Sequence, residues 1–147
     1  MTIDHQPLPM EPFVPIEHTA DVGIIAQGHD LRELCENAAK GMISLMAEIE
    51  HLQPTSEHHI EVSAPTDEQL LVALLREIQF LHEIEGLLFT EVTVESCEGG
   101  GLRATARAAP LEGAREHIIH GIKAVTYHGL DIQREGDILR TQIIFDT

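Results

Sequence analysis

The stretch 89–108, FTEVTVESCEGGGLRATARA, decides the fold. From Phe89 to Cys97 apolar and polar residues alternate, Glu98-Gly99-Gly100-Gly101 interrupts them, and Leu102 to Ala108 alternates again. A period of two belongs to a strand with one buried face, and glycines between two such strands allow the left-handed backbone of a tight reversal. The pair reads as an antiparallel hairpin. A glycine run can also cradle phosphate, but that requires a helix after it, and here a strand follows.

Working back from the hairpin, Gly86 ends a helix that carries Leu70, Leu71, Leu74, Leu75, Ile78 and Leu81 and is capped by Thr66 or Asp67 after Pro65. Before it, Ile60 to Ala64 alternates as a strand, set off by the break at Pro54-Thr55-Ser56. A first helix runs from Leu31 to about Ala47, with Leu34, Ala38, Met42, Leu45 and Met46 at helical spacing and Asp30 as its cap. Its small residues Ala38, Ala39 and Gly41 suit close approach to a sheet. Val22 to Gln27 reads as the first strand, ending in the turn Gly28-His29-Asp30.

Beyond the hairpin, Pro110 to Glu116 reads as an irregular, exposed connection. Gly121 to Ile132 is β-rich, with Val125, Tyr127 and Leu130 as inward positions, and Asp137 to Phe145 is the last strand. Strands and helices first mixed, then a block of antiparallel strands, indicate the α+β class. The expectation is a single domain over residues 13–147, mostly antiparallel sheet with two main amphipathic helices, preceded by a loose N-terminal arm over residues 1–12. A chain of 147 residues is long enough to bury a core without disulfide or metal staples.

With 25 acidic against 9 basic residues, the formal net charge is -16. Direct affinity for nucleic acid rests on Lys and Arg neutralising phosphates, so a chain this acidic repels the backbone over most of its surface. Any role with RNA then runs through a protein that holds the RNA. The plain reading of the acidity is solubility. Cys35 and Cys97 show no CxxC or Cys/His ligand spacing, and Cys35 falls among helix-patterned residues as a small buried hydrophobe. No apolar run has membrane length and no basic leader precedes one, which points to a reducing, cytoplasmic setting.

Polar motifs lie in these ordinary elements: Glu17 to Ile24, Lys123 to His128, and Phe145-Asp146-Thr147. Packing explains their apolar members, but His18, Asp21, Lys123 and Asp146 are costly to bury unless paired, hydrogen-bonded or bound to metal. Carboxylates with a few carbonyls suit a hard divalent cation such as Ca²⁺ or Mg²⁺, whereas Zn²⁺ prefers His and Cys. Asp21, Asp146 and Glu77, at the edge of the second helix's apolar face, could supply such oxygens. His18 could orient Asp21 or add a ligand, and Lys123 could balance clustered carboxylates. Each also has an ordinary reading: Asp21 bonding turn amides, His18 a loop histidine, Lys123 a strand-surface charge, Asp146 the polar end of a fraying terminus.

Taken in order, the segments resemble the archease family, small activators of the RNA-splicing ligase that seals tRNA halves. The resemblance runs from about Phe13 to Thr147 and rests on Glu-His-Thr-Ala-Asp-Val-Gly at 17 to 23, on Leu70-Leu71 with Leu75-Arg76-Glu77, on Glu85-Gly86-Leu87-Leu88-Phe89, on Ile122 to His128, and on Ile144-Phe145-Asp146. It implies an α+β fold and a chaperone-like activator that performs no ligation itself. Such a protein promotes guanylylation of the active-site histidine of a GTP-dependent RNA ligase and multiple-turnover ligation. It meets RNA only through that ligase and has no membrane role.

By the same resemblance Asp21 and Asp146 are metal-binding carboxylates, joined by a backbone carbonyl near the terminus at Thr147. Ca²⁺ is the expected ion, with Mg²⁺ or Mn²⁺ as alternatives, and Glu77, Lys123 and His18 are the residues expected to act in activation. The chain departs from the family in having Leu74 where an aromatic residue, usually Trp, stands, in a longer N-terminal arm, and in its own 110–122 connection with His117 and His120. Two other classes are consistent with the residues alone. One is a stand-alone metal-dependent hydrolase using Asp21, Glu77 and Asp146, although no nucleophile motif or phosphate loop is present. The other is a calcium-stabilised binding protein.

Overall fold

The computed structural model describes residues 10–17, 21–127 and 129–147. Eight strands, two long helices and a 3₁₀ turn follow in order: β1 Phe13–Glu17, β2 Asp21–Gly28, α1 Leu31–Met46, β3 Ser56–Ser63, α2 Asp67–Glu85, β4 Leu87–Glu98, β5 Gly101–Pro110, the turn Arg115–His117, β6 Ala124–Val125, β7 Gln133–Glu135 and β8 Ile138–Asp146. One sheet has the order β1-β2-β8-β6, with β7 also on β8; the other has the order β3-β5-β4. All pairings are antiparallel. The fold is α+β, as expected.

The β4–β5 hairpin turns at Gly99 and Gly100, whose φ values of 62° and 77° are those a two-residue type I′ loop demands and a side chain resists. Register shifts between Phe89 and Glu91 and between Val94 and Ser96 mark two irregularities in β4. They keep Phe89, Val92 and Val94 buried opposite Ala108, Ala106 and Ala104 although strict alternation would turn some of them outward.

The helices begin where their caps put them. Asp30 Oδ1 accepts from Glu33 N at 2.8 Å, and Thr66 Oγ1 accepts from Gln69 N at 3.1 Å, each satisfying a first-turn amide and contributing about 1 kcal/mol. Gly86, at φ 64°, closes α2 with its N–H on the His82 carbonyl. α1 lies between the sheets, packing on β1 and β2 and also on β4. A Cβ on Gly41 would stand 2.7 Å from Ile24 Cδ1 and 3.0 Å from Phe13 Cγ, so only glycine permits the helix to sit this close to β1 and β2.

α2 packs against α1, β3, β4, β5 and β6. Its buried residues Leu70, Leu71, Leu74, Leu75 and Ile78 join Ile24, Met42, Val92, Leu102 and Phe145 in one core. Cys35 on α1 and Cys97 on β4 are free thiols; the Cys97 neighbour, then burial, pushes the Cys35 thiol up. No helix among the described residues is long and apolar enough to cross a membrane.

Three expectations are corrected. β1 was not foreseen; its Phe13 faces the core through register with Ala26. The 110–116 connection is not simply exposed: Leu111 and Ala114 are buried with Ala47 and Leu88 in a second small cluster. Between 121 and 132 the ladder pairing is confined to Ala124–Val125, and of the three expected inward residues Val125 is buried, Leu130 half-buried and Tyr127 exposed. Buried Leu74 fills its place without an aromatic ring. Of the expected N-terminal arm, residues 1–9 lie outside the described residues, while the Glu11 and Pro12 carbonyls accept from the Gln27 side chain and backbone.

Candidate functional site

β2 pairs with β8 over its whole length, from Gly28↔Leu139 to Asp21↔Asp146, so the two aspartates from opposite ends of the chain become direct cross-strand partners. The hydrophobic pattern sets this register: Val22↔Phe145, Ile24↔Ile143 and Ala26↔Thr141 share the face toward the helices. A slip of one residue would turn Phe145 out and Asp146 in. Gly23 helps fix the register, since a Cβ there would stand 2.6 Å from the Ile143 carbonyl oxygen. On the other side of β8, Ala124 pairs with Asp146, and Lys123 N donates to the Asp146 carbonyl at 2.7 Å.

Alternation places Asp21 and Asp146 on the face away from the helices, opposite to Val22 and Phe145. Directly opposed side chains in an antiparallel pair have Cβ atoms about 4.5–5.5 Å apart, and like charges at that position repel. An exposed Asp146 beside a half-buried Asp21 sets two like charges at one cross-strand position, and their hard oxygens are the donors Ca²⁺ or Mg²⁺ takes. The half-buried Thr147 follows directly. The two carboxylates match a divalent cation in the chemistry of their donors. Among the described residues no group of three or more His, Cys, Asp or Glu gathers as a metal cluster, so remaining ligands would be carbonyls or water.

Glu77 and Lys123 come together elsewhere at this end of the molecule. They line a groove of about 420 Å³ between α2 and β6, with Ala73, Arg76, Gln79 and Phe80 among its walls. Glu77 is half-buried and Lys123 exposed. Two α2 residues without an assigned role in the sequence reading build this groove. Arg76 donates to the Val125 carbonyl from Nη2 at 3.1 Å and from Nε at 3.4 Å, and Gln79 Nε2 reaches the carbonyls of Ile122 and Lys123, each at 3.3 Å. These bonds satisfy carbonyls of β6 and of the residues leading into it, on an edge that no strand among the described residues covers. The Arg76 guanidinium also stands 4.9 Å from the centre of the Tyr127 ring. The sequence signal for these residues is their spacing, Arg76 and Gln79 being three apart on one helical face beside Glu77.

The expected site residues therefore divide into an Asp21–Asp146 pair on the outer sheet face and a Glu77–Lys123 groove beneath α2. His18 lies outside the described residues. The division speaks against a hydrolase centre in which Asp21, Glu77 and Asp146 surround the same ions.

Comparison with known proteins agrees with this architecture. Residues 13–147 match the Archease protein family (MTH1598/TM1083). The protein archease of Methanopyrus kandleri is 35% identical over 127 residues, covering 84% of this chain and 91% of that protein. That of Methanothermobacter thermautotrophicus is 32% identical over 140 residues, covering 93% and 99%. The solution structure of Methanobacterium thermoautotrophicum protein 1598 superposes with a TM-score of 0.77 at 32% identity, over 94% of this chain and all, 100%, of that one. The crystal structure of a Thermotoga maritima archease, described as a possible chaperone, gives a TM-score of 0.61 at 26% identity, over 97% and 100%. With residues 13–147 matched by the family model and relatives at 32–35% identity along most of their length, this chain belongs to the archease family.

Proposed function

We propose that the protein is a chaperone-like activator of a GTP-dependent RNA-splicing ligase, acting in the cytoplasm. It promotes transfer of GMP from GTP to the ligase's active-site histidine, with pyrophosphate leaving, and so supports multiple-turnover RNA joining, tRNA halves included. The protein itself contributes position and charge and forms no covalent bond. The observation that carries this reading is the in-register Asp21–Asp146 pair in a member of the archease family. A bound divalent cation, Ca²⁺ first and Mg²⁺ or Mn²⁺ otherwise, would neutralise that pair and offer a positive centre to phosphate oxygens.

Around it, this chain's residues have separable tasks. Asp21 and Asp146 hold the ion, with a carbonyl at Thr147 as a further ligand. Lys123 ties its backbone to Asp146 while its side chain borders the groove, and Glu77 sets a carboxylate opposite it. His18, three residues before Asp21, is a further activating residue. An acidic tip of this kind suits a cleft built to hold RNA, since complementary fields speed and orient encounter. The net charge of -16 supports contact with RNA only through the ligase.

The test is guanylylation and multiple-turnover RNA joining by the cognate ligase, with and without sub-stoichiometric protein, for wild type and a folded Asp146→Ala variant. Stimulation by wild type and its loss in the variant is the expected result. A variant as active as wild type would remove the carboxylate from the function, and an inactive wild type would sink the reading.

A further inference from the structure

We infer that Phe80 in the wall of the α2–β6 groove, with Ile84 one turn further along α2 and Tyr127 against Arg76, forms the docking face for the protein partner of the proposed function, on which this inference rests. The face takes an apolar side chain of the partner flanked by a basic residue. The chain has four Phe, one Tyr and no Trp. Phe13, Phe89 and Phe145 serve the core, yet Phe80 is 51% and Tyr127 44% exposed. Both stand at this groove, Phe80 in its wall and Tyr127 beneath Arg76. Ile84, one turn beyond Phe80 on the same face of α2, is 66% exposed. The helix already buries Leu71, Leu74, Leu75 and Ile78 on its other side, so fold stability leaves Phe80 and Ile84 without a task.

Clustered aromatic, Arg and large aliphatic side chains around a concavity are the composition of interface anchors. The partner's chemistry follows from what surrounds them. Glu77 and Glu83 flank Phe80 on α2 against Arg76 and Lys123 in the groove wall, and the chain around them carries a net charge of -16, so a partner of basic character is favoured and a second copy of this chain is repelled. Strand addition is not the mode, because Arg76 and Gln79 already occupy the carbonyls of Val125 and of Ile122 and Lys123. Contact is through side chains.

The experiment titrates the cognate ligase with wild type, Phe80→Ala, Ile84→Ala and Asp146→Ala proteins, reading Kd and maximal stimulation of guanylylation. Phe80→Ala should weaken binding at least tenfold with unchanged Tm and unchanged maximal stimulation at saturation, Ile84→Ala should weaken it less, and Asp146→Ala should bind normally yet fail to stimulate. Wild-type stimulation with an unaltered Kd for Phe80→Ala overturns the docking face alone. Absence of binding and stimulation by wild type overturns the proposed function and this inference with it. Self-association abolished by Phe80→Ala would assign the face to a second copy and overturn the inference also.

Discussion

At the residue scale, Glu33 shows how one carboxylate can tie a turn to a helix. Its Oε1 accepts from the His29 backbone N–H at 2.7 Å and meets His29 Nδ1 at 2.7 Å, while Asp30 caps the same turn. The backbone bond from His29, then the ring contact, holds the Glu33 carboxyl below its ordinary value of 4.5. A depressed folded pKa means that the unfolded chain binds the proton more readily. The contribution of Glu33 is therefore whole above pH about 4.5 and is lost as pH falls through the lower folded value. Melting temperature measured against pH should show Glu33→Gln below wild type at pH 7, with the gap closing in acid; a constant gap would contradict it. The capping pattern Asp30 to Glu33 is legible in the sequence. That Glu33 would reach past the cap to His29 is not, since it depends on how the β2–α1 turn closes.

At the element scale, the edge of β4 is sealed by α1. Arg32 Nη1 donates to the Val94 carbonyl at 3.0 Å and Glu36 Oε1 accepts from the Val94 N–H at 2.8 Å, beside the irregularity at Glu95. An open edge strand would offer those groups to another chain. Replacing Glu36 by Ala leaves a part-buried amide without its acceptor, an expected cost of about 1–3 kcal/mol. Denaturant unfolding should show this as a lower midpoint, and a variant as stable as wild type would deny the clamp. The strand can be read in advance as an alternation, which the fold breaks twice: the buried Phe89, Val92, Val94 and the Cys97 that packs beside them are spaced three, two and three, each three marking an extra residue in the strand. The partner of the irregularity cannot, because Glu36 is 58 residues away and meets Val94 only through packing.

At the scale of the molecule, the Asp21–Asp146 pair ties the start of the domain to its end. Ca²⁺ should raise the melting temperature of wild type, by about 2.7 kcal/mol of stability at a hundred times its Kd. Asp146→Asn should lose that gain and, by removing a like-charge contact, melt higher than wild type in chelator; equal calcium response in both would place the ion elsewhere. Much of this fold was written in local pattern: both helices with their caps, the glycine reversal and the hydrophobic face of β8 depend on neighbours within a few residues, so periodicity and cap chemistry determine them. The polar motifs at 17–24 and 145–147 likewise marked Asp21 and Asp146 as residues the core had no use for. Their meeting across β2 and β8, the separation of Glu77 and Lys123 into a groove on the helix side, and the sealing of β6 by Arg76 and Gln79 were decided by tertiary structure. Local propensity sets where a strand or helix begins, but which strands become neighbours, and so which distant charges face each other, is set by the burial of all the apolar faces at once.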